Sequence, residues 1–104
     1  MRVIVIEPNE GQIHAHDTEG NLHDLQGLVG GYIEAAAPAQ LREQGIELLV
    51  NEEGLLMMLP VNLNMFPFFF LGTAVMVGVD GGEFTGLTEE QQQYAMKWLR
   101  ELEG

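Results

Sequence analysis

The chain has no cysteine and no serine, and only four lysine and arginine residues among its 104. Without thiols there is no disulfide framework, iron–sulfur cluster, thiolate zinc site or cysteine nucleophile. Without serine there is no Gly-x-Ser-x-Gly elbow, and no glycine-rich phosphate cradle with a following lysine occurs either. No catalytic motif stands out, and no cofactor is expected. Sixteen acidic residues against the four basic ones give a formal net charge of -12. So few cations cannot hold a phosphate backbone, which argues against direct nucleic-acid binding. The opening Val3-Ile4-Val5-Ile6 run turns acidic at Glu7, too early for a signal-peptide core, and no small-residue cleavage site follows. A cytoplasmic location is the expectation.

What is present suffices for one domain spanning residues 1–104: 46% of the residues are hydrophobic, and no repeat, low-complexity tract or linker divides the chain. Residues 54–79 carry no charged side chain, a length that would cross a bilayer. Pro60, Asn62, Asn64 and Pro67 interrupt it, and Glu52, Glu53, Asp80 and Glu83 flank it without nearby lysine or arginine. No membrane span is expected.

Residues 3–6 and 12–16, separated by Pro8-Asn9-Glu10-Gly11, read as a first hairpin. Asn21 can cap a short helix near 21–29 with Leu22, Leu25, Leu28 and Val29 on one side, and Gly30 or Gly31 can supply its left-handed C-cap. Residues 32–36 and 46–50 read as strands joined by a segment in which Pro38 suits a first helical turn and Gly45 its end. Residues 55–59 form an extended or helical apolar run that Pro60 stops. The β-branched stretch 73–79 predicts a buried strand that Asp80-Gly81-Gly82 hands to a partner at 83–85. Thr88 with Gln91 fits a capping box opening a C-terminal helix near 88–102, striped by Ala95, Trp98, Leu99 and Leu102. The sum is an α+β domain: a mostly antiparallel sheet of about five to six strands in hairpins, with helices on one face.

Three stretches resemble the family known as domain of unknown function 3846. They are Leu25-Gln26-Gly27-Leu28-Val29-Gly30-Gly31-Tyr32-Ile33-Glu34, then Asn51-Glu52-Glu53-Gly54 running to Leu59-Pro60-Val61-Asn62, then Gly72-Thr73-Ala74-Val75-Met76-Val77-Gly78. The resemblance implies a small cytoplasmic protein of phages, plasmids and other mobile elements, with no established activity. Two segments depart from the pattern: residues 37–45 look longer, and residues 65–71 are unusually aromatic.

Each candidate site also has a plainer structural role. Gly30, Gly31, Tyr32 and Asn62 can line a pocket, with Tyr32 as a stacking platform, Asn62 as a hydrogen-bonding reader, and backbone amides at the glycine bend holding phosphates. In the plainer role the glycines end a helix and Asn62 bonds nearby backbone. Four of the five phenylalanines, Phe66, Phe68, Phe69 and Phe70, crowd one loop that either folds inward or forms an oligomer interface. The interface is the reading favoured, making a homo-oligomer, a dimer, the expectation. His14 and His16 alternate on one strand and face the same way, a weak metal candidate for which no remaining ligand is evident; no metal is expected. Glu34, Glu52, Glu53 and Asp80 are the acids best placed for carboxylate-dependent hydrolysis if their hairpins stack.

The charge favours a non-catalytic protein that binds and blocks a host factor by occupying its basic surface, with self-association as a second use of the same body. A nucleotide-type small-molecule binder with its pocket at Tyr32 and Asn62 is the alternative, and a carboxylate hydrolase the next.

Overall fold

A computed structural model describes residues 1–102. Six strands, all paired antiparallel, form one sheet: β1 (Arg2–Ile6), β2 (Ile13–Asp17), β3 (Ile33–Ala35), β4 (Ile46–Asn51), β5 (Ala74–Asp80) and β6 (Glu83–Thr85). Their order is β2-β1-β5-β4-β3, with β6 also on β5. Gly78 pairs with Ile46 of β4 on one side and Thr85 of β6 on the other, so β6 continues the line of β1. The Gly81-Gly82 turn closes that hairpin at the Asp80–Glu83 pair. The first hairpin closes at Ile6–Ile13, and its open end carries an Arg2–Asp17 ion pair at 2.8 Å.

Three helices cover the sheet: α1 (Leu22–Val29), α2 (Ala39–Glu43) and α3 (Glu89–Leu102). The Asn21 side chain accepts from the Asp24 amide at 2.8 Å to start α1, and Gly30 ends it in the left-handed conformation at φ 79°. Thr88 and Gln91 form the reciprocal capping box of α3: each backbone amide donates to the other's side-chain oxygen, at 3.0 and 3.1 Å.

The helices are not confined to one face, and this corrects the expectation from sequence. Val3, Val5, Leu49, Val75 and Val77 pack with Leu25 and Val29 of α1. On the other face Ile4, Ile6, Ile46, Leu48, Val50, Ala74 and Met76 pack with Leu41 of α2 and Ala95 and Leu99 of α3. The reason is in the strands: β1, most of β4 and β5 are apolar at consecutive positions, so each turns a hydrophobic row to both sides and both rows must leave water. Leu22, assigned to the inner side of α1, is instead 61% exposed.

β3 leaves the sheet early, and Glu47 finishes the ladder in its place. Its Oε1 accepts from the Ala37 amide at 2.9 Å and the Leu48 amide at 3.0 Å, while Arg42 Nε donates to Oε2 at 3.1 Å. One buried carboxylate thus satisfies two edge amides and ties α2 to β4. No helix among the described residues is long and apolar enough to cross a membrane.

Candidate docking surface

Between β4 and β5 the chain is neither the extended nor the helical run expected for residues 55–59. It is a succession of turns whose amides bond locally: Met57 N–H to the Glu53 carbonyl at 2.9 Å, Met58 to Leu55 at 3.1 Å and Leu59 to Gly54 at 2.9 Å. Met58 takes a positive φ of 55°, a conformation a non-glycine residue adopts only when its surroundings impose it. The tract is closed at its base by the Asn62 amide on the Phe70 carbonyl, at 2.8 Å, and the Gly72 amide on the Pro60 carbonyl, at 2.7 Å.

Two buried asparagines hold that base. Asn62 is 0% exposed; its Nδ2 donates to the carbonyls of Ile6 and Gly72, both at 2.9 Å, and its Oδ1 accepts from the Asn64 amide at 3.2 Å. Asn64 Nδ2 donates to the carbonyls of Glu7 at 2.8 Å and Asn9 at 2.7 Å, fastening the tract to the first hairpin loop. Met65, between tract and core, is fully buried.

From this anchored base the rest of the tract faces outward. Leu55, Leu56, Met57, Met58, Val61, Leu63, Phe66 and Phe69 are all exposed, Leu56 and Met58 by 80% and 87%. They account for most of the large apolar side chains that the described residues leave in water, and they lie within one charge-free stretch. Phe68 and Phe70 point the other way. Phe68 stacks on Trp98 of α3 with centroids 5.5 Å apart and on Phe70 at 6.1 Å. The phenylalanine loop is therefore divided: half packs inward on α3, and Phe66 and Phe69 remain exposed.

Acids border the apolar surface. One cleft of about 510 Å³ is lined by Glu10, Leu63, Asn64, Phe66 and Leu102. Another, of about 260 Å³, lies between the β3–β4 edge and the tract, where Glu34 and Glu52 meet Leu55, Phe69 and Leu71. A large apolar area with a charged rim is the arrangement of a protein-docking surface.

The chain matches, over residues 1–100, the family described as Domain of unknown function (DUF3846). It belongs to that family. No curated protein and no solved structure matches it. The stretches that carry the DUF3846 resemblance turn out to be the interior fastenings of the fold. Asn51 Nδ2 donates to the Val29 carbonyl at 3.2 Å, and its Oδ1 accepts from the Glu53 amide at 2.7 Å, which joins the end of α1 to the turn after β4. A side chain on Gly31 would place Cβ 2.9 Å from that Nδ2, so close an approach that only glycine fits there without movement. Asn62, in the second stretch, holds Gly72, the first residue of the third.

The residues considered for a nucleotide pocket are accordingly placed apart in role. The amides of Gly30 and Gly31 both donate to the Gln26 carbonyl, at 2.9 and 3.0 Å, and Asn62 has its amide hydrogens committed inside the chain. Tyr32 is 65% exposed beside β4, where its carbonyl accepts from the Glu52 amide. Neither Tyr32 nor Asn62 lines the principal clefts of the described residues. His14 and His16 do share a face, with ring centroids 6.4 Å apart, but no group of three or more His, Asp and Glu side chains among the described residues is placed to hold a metal. Of the four acids considered for hydrolysis, Glu34 and Glu52 share a cleft, while Asp80 sits on β5 beyond the opposite end of β4.

Proposed function

We propose that this protein is a non-catalytic binding protein that docks on a basic surface of another protein and blocks it, using the tract between β4 and β5 as the contact centre. The observation that carries this reading is the set of large side chains from Leu55 to Phe69 held in water by a rigid, hydrogen-bonded base. Burying one leucine or phenylalanine contributes roughly 1.5 to 3 kcal/mol, so several together exceed much of the roughly 4 to 15 kcal/mol that association costs. The acids give direction. Three of the four cations are already paired within the chain, Arg2 with Asp17, Arg42 with Glu47 and Lys97 with Glu101, so the excess negative charge stays uncompensated and steers cationic partners.

A second copy of the chain fits this surface less well than a basic partner, because self-docking brings the Glu10, Glu34 and Glu52 rims together. The mobile-element setting that the family resemblance implies makes a host factor the partner in view.

The test is capture of partners from a bacterial host extract with the parent protein and with a Leu56→Asp/Phe66→Ser variant, followed by titration of the identified partner over a range of salt. Both replaced side chains are exposed, so the variant keeps its fold, which circular dichroism checks. The reading expects the variant to lose the partner and the parent's affinity to fall steeply with salt. Equal capture by both proteins, or a salt-independent affinity, would falsify it. A parent that sediments as a stable dimer at low salt would place a second copy on the tract instead.

A further inference from the structure

The cleft between the β3–β4 edge and the tract has a chemistry more specific than a docking surface in general. Its floor and walls are Val50, Leu55, Phe69, Phe70 and Leu71, and its rim carries Glu34 and Glu52. Glu34 lies directly opposite Val50 in the β3–β4 register, and cross-strand partners share a face, so its carboxylate stands on the side where the apolar floor opens. Glu52 follows the last residue of β4 and is held by its amide to the Tyr32 carbonyl at 2.8 Å. Neither carboxylate has an ion-pair or hydrogen-bond partner among the described residues. The occupant that satisfies both features at once has an apolar stem, a flat cationic head able to lie on an aromatic ring, and several donors for carboxylates.

We propose that this cleft receives an arginine side chain of the partner, its methylenes against Leu55 and Leu71, its guanidinium on Phe69 and its N–H groups shared between Glu34 and Glu52. A guanidinium offers planar donors and stacks on aromatic faces, whereas an ammonium is a compact, strongly hydrated charge, so arginine is preferred to lysine. The inference rests on the docking reading and names the partner residue on which it turns.

The experiment is a nuclear magnetic resonance titration of the isotope-labelled protein with three capped tripeptides, Gly-Arg-Gly, Gly-Lys-Gly and the citrulline counterpart of the first. The arginine peptide should give saturable shifts of the Glu34, Glu52, Leu55 and Phe69 amides. The citrulline peptide, isosteric but uncharged, should bind about tenfold more weakly, the lysine peptide should fall between, and a Glu34→Gln/Glu52→Gln variant with unchanged melting temperature should lose the arginine peptide to a similar extent. Equal binding of citrulline, lysine binding as tight as arginine, or arginine shifts that ignore the double substitution would each overturn the assignment. A failed assignment leaves the docking reading standing if capture of the partner still depends on Leu56 and Phe66; loss of that dependence removes the docking reading whatever the peptides do.

Discussion

Phe68 lies against Trp98 with ring centroids 5.5 Å apart and planes 30° from parallel, while the next residue, Phe69, is 72% exposed. Neighbours in sequence therefore take opposite sides: one fastens the tract to α3, the other stays in water. Phe68→Ala should lower stability by about 2 kcal/mol through lost burial and stacking, whereas Phe69→Ser should change it by less than about 0.5 kcal/mol. Urea denaturation of the two variants checks this. Comparable losses at both positions would mean that Phe69 is packed in solution.

Asn62 ties two distant carbonyls, those of Ile6 and Gly72, with one buried amide group. Truncating Asn62→Ala removes the side-chain donor from the Ile6 and Gly72 carbonyls in the interior, a cost of about 2 to 4 kcal/mol. The midpoint of chemical unfolding should fall accordingly, with an unchanged slope if the native fold is retained. A neutral substitution would show that water reaches this site.

Glu47 and Arg42 form an unequal pair, since the arginine side chain is 54% exposed and the glutamate only 12%. Removing the glutamate takes the side-chain acceptor from the Ala37 and Leu48 amides and leaves the half-exposed guanidinium only the Ala35 carbonyl; removing the arginine leaves both amides bonded. Glu47→Ala is expected to cost about 2 to 3 kcal/mol, and Arg42→Ala no more than about 1 kcal/mol. Thermal melts of the two variants decide it, and a reversed order would contradict the role given to the carboxylate.

Nucleotides should not stabilise this protein. The Gly30 and Gly31 amides are spent on the Gln26 carbonyl, and Asn62 is sealed in the interior. A ligand bound only by the folded state raises the melting temperature by mass action, so a flat thermal-shift response across mono-, di- and trinucleotides is the expected result. A shift of several degrees with one of them would return the pocket reading to consideration.

Much of the architecture is written locally. Asn21, Gly30 and the Thr88/Gln91 box mark helix ends because a cap is a bond between residues three or four apart, and Gly81-Gly82 marks a hairpin because a two-residue turn selects for positive φ. Which face each helix takes was only half legible. The consecutive apolar residues of β1 and β5 state that both sides of the sheet are covered, but periodicity within α1 or α3 says only that a helix has an inner side.

The site was less legible still. Residues 55–70 are apolar by composition, and composition alone cannot distinguish a plug from a contact surface. The decision falls to long-range fastenings: Asn62 on Ile6, Asn64 on Glu7 and Asn9, Phe68 on Trp98. These join residues tens of positions apart, so no window of sequence contains both partners.

The sequence by itself determined the charge, the absence of thiol and serine chemistry, the strand and helix ends and the family, because each is a property of single residues or of near neighbours. Tertiary structure alone decided that Phe68 turns inward and Phe69 outward, that Asn62 is a fastening, and that Glu34 and Glu52 come to share one cleft. Those outcomes depend on which distant segments meet. Burial in a sheet covered on both faces is a competition for interior space that only the whole chain settles.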